Sequence, residues 1–380
     1  MFHFILRGNM IKKIYRIFIG ISIFLILIYI GTLFGKLIIN IIDKKITVIE
    51  AISDIALFIV FFILFYILNI ILHEVGHLVC GLISGYKFSS FTIGNIILIK
   101  KNNKLEIKKF HIPGTGGQCL MSPPPYSDGK FAYKLYLLGG VLINLAGVIL
   151  VFLVLLLKND ADLIANSFIL SGICIILANI RINGLGEVDT DLTVLVSAQN
   201  DLISRRAFWI QLYVAASQNE NVEIVALPKD MLILPDNFEI SNNLRFYWYY
   251  IVCIFEFKNE NYTKYRKMVD SIKDKIDLMK SIYMNELLCE LLFLDIIEMR
   301  YIHNKEYWDT LNLRAYIEKT KGYLSRQRLL YAYSLLVLNN SKKANLHLRA
   351  FEKIIKKWPY LSDIQDEIRL IDLIKRIASQ

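Results

Sequence analysis

Paired cysteines are the first thing missing from this 380-residue chain. Its five cysteines, Cys80, Cys119, Cys174, Cys253 and Cys289, are odd in number and widely scattered. No CxxC or zinc-finger spacing occurs, so they read as reduced thiols, cytosolic or buried in a membrane. Signatures of RNA or DNA binding are missing as well, so the net charge of +10 does not imply a nucleic-acid partner. Basic residues beside apolar helices instead favour an anionic cytoplasmic leaflet. The stretch Pro113-Gly114-Thr115-Gly116-Gly117 is glycine-rich but matches no Walker or dinucleotide pattern, which argues against a phosphate cradle. Beyond about Thr193 no uncharged run long enough to span a bilayer recurs.

Apolar residues are abundant: 55% of the chain, with a mean hydropathy of +0.44. They concentrate in the first half, which reads as a membrane part followed by a soluble part. Residues 17–35 are uncharged and long enough to cross a bilayer. Arg7, Lys12, Lys13 and Arg16 precede them as in a signal peptide, but the apolar part is too long and no small-residue cleavage site follows. The expectation is a retained first span with a cytoplasmic N-terminus. Further spans are expected at about 54–85, 135–157 and 163–180, the last ending at Arg181. Four spans put both termini in the cytoplasm, a multi-pass protein of the cell membrane with the lipid bilayer as its surroundings. On the third span Gly140, Asn144 and Gly147 share one face, where another helix can pack closely. Asn144 either makes a buried packing hydrogen bond or faces a cavity.

The segment 87–130 is not helical in pattern. Phe91 to Ile99 is rich in β-branched and aromatic residues, Lys101-Asn102-Asn103-Lys104 is a polar turn, and Leu105 to Ile112 alternates, which predicts a hairpin. Lys87, Lys100, Lys101, Lys104, Lys108 and Lys109 place it on the cytoplasmic side. Pro123-Pro124-Pro125 breaks regular structure after it. In the second half, charges alternate with apolar residues at helical spacing. Three similar stretches, Phe257–Tyr262, Ile302–Trp308 and Leu338–Lys343, join an apolar helix to a basic one. Their spacing of roughly 36 to 45 residues suits two-helix repeats, which can bind a peptide or protein partner. Trp248, Tyr249 and Tyr250 read as core. The fold class expected is mostly α: a polytopic membrane protein with about four transmembrane helices, a small membrane-associated β-hairpin and a C-terminal α-helical repeat-like (solenoid) domain. The divisions are 1–49 for the first helix and loop, 50–200 for a core carrying the hairpin at 87–125, and 201–380 for the cytosolic helices.

The chemistry is concentrated in His73-Glu74-Val75-Gly76-His77, which closes the uncharged stretch 55–72. Two histidines four apart share a helical face, so both rings can reach one Zn²⁺. The glutamate after the first is placed to hold and deprotonate a water on that ion. By the rise of a helix, His77 lies on the order of 12 Å inside the cytoplasmic surface. Such a cluster is costly in lipid unless it works. A catalytic zinc usually takes three protein ligands. No third histidine is near: His3 and His111 lie elsewhere, and His303 and His347 are distal. A carboxylate from Glu187, Asp189 or Asp191 is the natural candidate.

Together these residues resemble the site-2 protease family of intramembrane zinc metalloproteases. The likeness covers about residues 50–200. It rests on HEVGH in a transmembrane helix, a following hairpin, Gly139-Gly140-Val141-Leu142-Ile143-Asn144 in the next helix, and an Asn-led, Asp-ending segment from Asn179 to Asp191. The resemblance implies that His73, His77 and Asp191 hold Zn²⁺, with Asp189 the alternative third ligand. It also implies that Glu74 is the general base and that Asn144 and Asn179 serve the substrate. The chain departs from the family in lacking proline after Asn179 and glycine after Asp189 or Asp191, and it has no PDZ or CBS segment. The activity implied is hydrolysis of peptide bonds in membrane-embedded helices or small hydrophobic peptides. A substrate segment would unwind and pair as an added strand with Phe91–Ile99. The alternative is a catalytically silent relative acting as a membrane scaffold or regulator. A metal transporter fits less well, because the polar residues cluster at one depth.

Overall fold

The computed structural model describes residues 46–101, 104–109, 116–158, 162–275, 277–278, 281–301 and 313–379, with isolated positions between 20 and 43. Thr47 and Glu50 form a reciprocal cap, Thr47 N–H donating to Glu50 Oε2 (2.7 Å) and Glu50 N–H to Thr47 Oγ1 (3.2 Å). This motif satisfies two of the free donors at a helix start. The helix it opens, α1 (Val48–Ile83), runs through the apolar stretch and the His pair without a break. Two more apolar helices follow the sheet, α2 (Lys134–Lys158) and α3 (Leu163–Asn179), the latter capped by Asp162. Among the described residues, α1 and α2 are long and apolar enough to cross a membrane. The structure thus carries two candidate spans where the sequence suggested four. α3 is equally apolar but has only 17 residues, and the expected span at 17–35 lies largely outside the described residues.

The chain divides into two compact units. The first takes in α1 as far as Cys80, then α2, α3 and residues 190–193. Here α1 and α2 approach through glycine. A Cβ on Gly76 would lie 2.3 Å from the Gly139 carbonyl oxygen, and one on Gly139 would lie 2.4 Å from the Gly76 oxygen. Backbone cannot yield as a side-chain tip can, so the two helices meet this closely only with glycine on both.

The second unit holds residues 81–133, 183–189 and 194–380. Its sheet is antiparallel, in the order β3-β2-β1-β4, with β1 (Lys87–Ile93), β2 (Ile96–Lys101), β3 (Lys104–Lys109) and β4 (Gly117–Ser122). The single strand expected over Phe91–Ile99 is instead folded back on itself. Gly94, at φ +56°, and Asn95 make a tight turn that pairs Ile93 with Ile96. A two-residue turn with positive φ matches the twist of the strands it joins. The expected turn at Lys101–Lys104 joins β2 to β3, although Asn102 and Asn103 themselves lie outside the described residues, as do His111 and Pro113–Thr115. Because β1 is hydrogen-bonded to β2 on one side and β4 on the other, it has no edge for an added strand. The sheet's outer strands are β3 and β4. The sheet, expected to belong with 50–200, falls in the unit that contains the C-terminal helices.

After α4 (Asp191–Asn200) come α5 (Leu202–Asn219), α6 (Asn243–Lys258), α7 (Tyr262–Asp270), α8 (Ile282–Ile297), α9 (Leu313–Lys319), α10 (Leu324–Ala332), α11 (Ser341–Ile355) and α12 (Leu361–Ala378). The sheet is joined to α5 by Trp209 Nε1 donating to the Pro124 carbonyl (2.8 Å) and Asn219 Nδ2 donating to Ser89 Oγ (2.7 Å). Short turns after α6 and before α11 occupy two of the three expected repeat junctions. The third, 302–308, lies outside the described residues. Trp248 is buried and Tyr249 and Tyr250 pack on the helical core. Cys174, Cys253 and Cys289 are free thiols.

Candidate metal centre

α1 presents His73 and His77 one turn apart, and both rings are buried within the first unit. Each ring is held through Nδ1. His77 Nδ1 donates to the backbone carbonyl of Tyr136 on α2 (2.8 Å). A carbonyl can only accept, so this nitrogen carries the proton. His73 Nδ1 lies 2.9 Å from Asn144 Oδ1. The orientation of that amide is also fixed, because Asn144 Nδ2 donates to the Asn69 carbonyl (2.9 Å) and to Asn69 Oδ1 (3.0 Å). The proton of His73 is therefore on Nδ1 too. Gly140 makes room for the ring, since a Cβ there would lie 2.4 Å from the His73 imidazole.

Both Nε2 atoms are left with a lone pair, and they face each other at 3.2 Å. Asp191 supplies a third acceptor, its Oδ2 lying 3.0 Å from His73 Nε2 and 3.3 Å from His77 Nε2. Asp191 is the first residue of α4, where the helix dipole favours an anion. Its flanks are anchored: Thr190 Oγ1 and Thr193 Oγ1 both donate to the Arg181 carbonyl, the second at 3.1 Å.

Three acceptors converging without a donor repel one another. One proton could relieve one nitrogen, whereas a divalent cation satisfies all three atoms together. The dimensions fit. Ligand atoms at about 2.0–2.1 Å from a tetrahedral ion stand roughly 3.3 Å apart. The observed triangle has edges of 3.0, 3.2 and 3.3 Å. His73, His77 and Asp191 could thus hold a metal ion between them. Glu74, next to the first ligand, is buried at 8% exposure.

The other expected site residues lie as follows. Asp189 does not share in the triangle; its carboxylate accepts from Asn243 Nδ2 (2.7 Å), and burial raises its pKa to about 6 despite that bond. Glu187 is exposed, and its Oε2 accepts from the Gly184 N–H at 3.3 Å. Asn144, expected to serve substrate, has both ends of its amide engaged by His73 and Asn69 and so orients a ligand instead. Asn179, also expected to serve substrate, donates to the Ile175 carbonyl one turn back on its own helix (3.0 Å). His347 pairs with Gln327 Oε1 at 3.0 Å, while His3 and His303 lie outside the described residues.

Sequence reasoning missed Asn69, Ser171 and the Tyr136 carbonyl. Asn69 carried a signal, a lone amide four residues before His73 and hence on its helical face. The Tyr136 carbonyl carried none, since every residue has one. No family model matches this chain, and no curated protein or solved structure matches it either.

Proposed function

We propose that this chain is an intramembrane zinc metalloendopeptidase of the site-2 protease kind, cutting peptide bonds in membrane-embedded or small hydrophobic peptide substrates. The observation that carries the reading is the triangle of acceptors formed by His73, His77 and Asp191 beside a buried Glu74, set in apolar helices. Two imidazoles and one carboxylate with an open fourth corner form the ligand type of hydrolytic zinc sites. Zn²⁺ held there supplies Lewis acidity towards a water and a peptide carbonyl. Glu74 takes the proton of the attacking water and returns it to the departing amine. Asn144 and the Tyr136 carbonyl keep the two rings aimed.

The wider arrangement follows the same reading. Residues 17–35 and α3 join α1 and α2 as four spans, and α3, at 17 residues, stands at the lower limit of about 17 for a spanning helix. Both termini and the lysine-bearing sheet then face the cytoplasm of the cell, and the C-terminal helices offer a surface to a peptide or protein partner.

The test is Glu74→Gln in the full chain. Detergent-purified wild type and variant should carry the same zinc by mass spectrometry. Membranes expressing the variant should accumulate peptides that wild-type membranes clear. A wild-type protein without metal, or identical membrane peptides in both strains, overturns the proposal; the second result together with bound metal would favour the scaffold reading.

A further inference from the structure

The hydrogen bonds behind His73 continue beyond Asn144 and all run in one direction. His73 Nδ1 donates to Asn144 Oδ1 (2.9 Å), Asn144 Nδ2 to Asn69 Oδ1 (3.0 Å), Asn69 Nδ2 to Ser171 Oγ (2.9 Å), and Ser171 Oγ to the Phe168 carbonyl (2.9 Å). Three helices contribute: α1 with His73 and Asn69, α2 with Asn144, α3 with Ser171. Asn69, Asn144 and Ser171 are each 0% exposed.

The direction cannot reverse. Asn69 Nδ2 also donates to the Phe65 carbonyl (3.0 Å) and Asn144 Nδ2 to the Asn69 carbonyl (2.9 Å). Carbonyls accept only, so each amide is pinned with its oxygen towards the histidine side. Space is kept for this chain of bonds: a Cβ on Gly172 would come within 2.6 Å of Val148 and 3.3 Å of Asn69 Oδ1.

We infer that Asn69, with Ser171 behind it, is a positioning residue that sets metal affinity by holding His73, through Asn144, in the tautomer whose Nε2 is free to bind. The inference rests on the metal-binding reading above and adds to it a control point that reaches one further helix, α3. If the acceptor at Asn144 turns away, His73 can place its proton on Nε2 and is lost as a ligand. Polar contacts between apolar helices also act as simple glue. What separates the two roles is that this series of bonds ends on a ligand ring, so its effect must pass through Asn144.

A double-mutant cycle on the full chain in detergent decides between them, with Zn²⁺ affinity read by chelator competition. Asn144→Ala should weaken binding about 10- to 100-fold, the usual cost of losing a partner that orients a ligand. Asn69→Ala should weaken it by about twofold or more, because the Asn69 carbonyl still holds Asn144 from one side, and should add nothing once Asn144 is gone. Ser171→Ala is the milder companion should Asn69→Ala fail to fold, and its smaller loss should likewise vanish in the Asn144→Ala background. In metal-free protein, nitrogen NMR of labelled histidine should show His73 as Nδ1–H in wild type and as a mixture in Asn144→Ala. Wild type that binds zinc while both the Asn69 and Ser171 variants keep full affinity overturns the inference alone. So does a loss of equal size with and without Asn144. Wild type that binds no metal overturns the proposed function and this inference with it.

Discussion

Among α1, α2 and α3 the buried polar groups are amides, hydroxyls and imidazoles together with Glu74, whereas α8, α10 and α12 bury ion pairs. Arg328 is 1% exposed and donates through Nη2 to both carboxylate oxygens of Glu290 (2.6 Å each) and through Nε to Glu367 (2.6 Å). Its guanidinium also lies 4.1 Å from the Phe293 ring centre. Arg326, fully buried, pairs with Glu286. Here each cation meets its anions within the fold, although Arg326 Nε and Nη1 and Arg328 Nη1 are buried without a hydrogen-bond partner. Around His73 the donors are used up on the outer side of the rings, and three acceptors face inward together. A closed set of opposite charges speaks for structure. Convergent acceptors suit a cation, and that asymmetry, more than the presence of histidine, separates a candidate site from a core.

The largest effect that sharpens this contrast is expected at Asp191. Asp191→Ala removes one corner of the triangle and should lower metal affinity by more than about 100-fold, beyond the range for losing a mere supporting partner. Asp189→Ala, two residues away, should leave affinity within a few-fold, since that carboxylate is bonded to Asn243. Mass-spectrometric metal content and chelator competition on both variants check the pair. Equal losses would mean the loop carries its acids as a group and that the triangle is not the binding unit.

Much of the metal centre could be read from the chain, because helix geometry alone places residues 73 and 77 on one face. Where the acid would come from was less legible. Glu187, Asp189 and Asp191 are chemically alike, and only the anchoring of Thr190 and Thr193 to Arg181 selects among them. The sheet was half legible. Gly94-Asn95 is a hairpin turn in plain view, but the β-rich residues on either side read as one strand, and the Gly117–Ser122 strand was hidden among glycines and prolines. The ion pairs were not legible at all, since Arg326 and Arg328 look like solvated charges until two other helices, α8 and α12, bring Glu286, Glu290 and Glu367 to them.

Those pairs give the second expectation. Arg328→Met leaves Glu290 and Glu367 buried without their cation and should cost about 3–5 kcal/mol of stability. Replacing all three, Arg328→Met with Glu290→Leu and Glu367→Leu, should recover most of that loss, because a closed set can be exchanged for apolar side chains of similar size. Denaturation of the full chain in detergent measures both. The corresponding exchange around His73 has no such recovery, as it would delete metal binding. A triple variant as unstable as the single one would show that the charges do more than balance each other.

The smallest effect expected concerns pH and Asp363, a carboxylate near the ionic set but outside it. It accepts from Trp358 Nε1 (3.2 Å) and Gln218 Nε2 (3.1 Å), both neutral donors. Burial raises its pKa; Asp366 adds to the rise, while Lys258 and the two hydrogen bonds work against it. A carboxyl whose folded pKa is raised binds its proton more tightly folded than unfolded. Its stabilising effect is therefore complete below the unfolded value of about 3.9 and is lost as pH climbs from there through the raised folded value. Asp363→Asn keeps an oxygen for the two donors and removes the titration. Over that window the variant should lose less stability with rising pH than wild type, by no more than about 1 kcal/mol. Unfolding midpoints of the two proteins at pH 4.5 and pH 7.5 make the comparison. Parallel pH curves would mean that the neutral donors already compensate the burial, and that this carboxylate is as closed as the arginine pairs beside it.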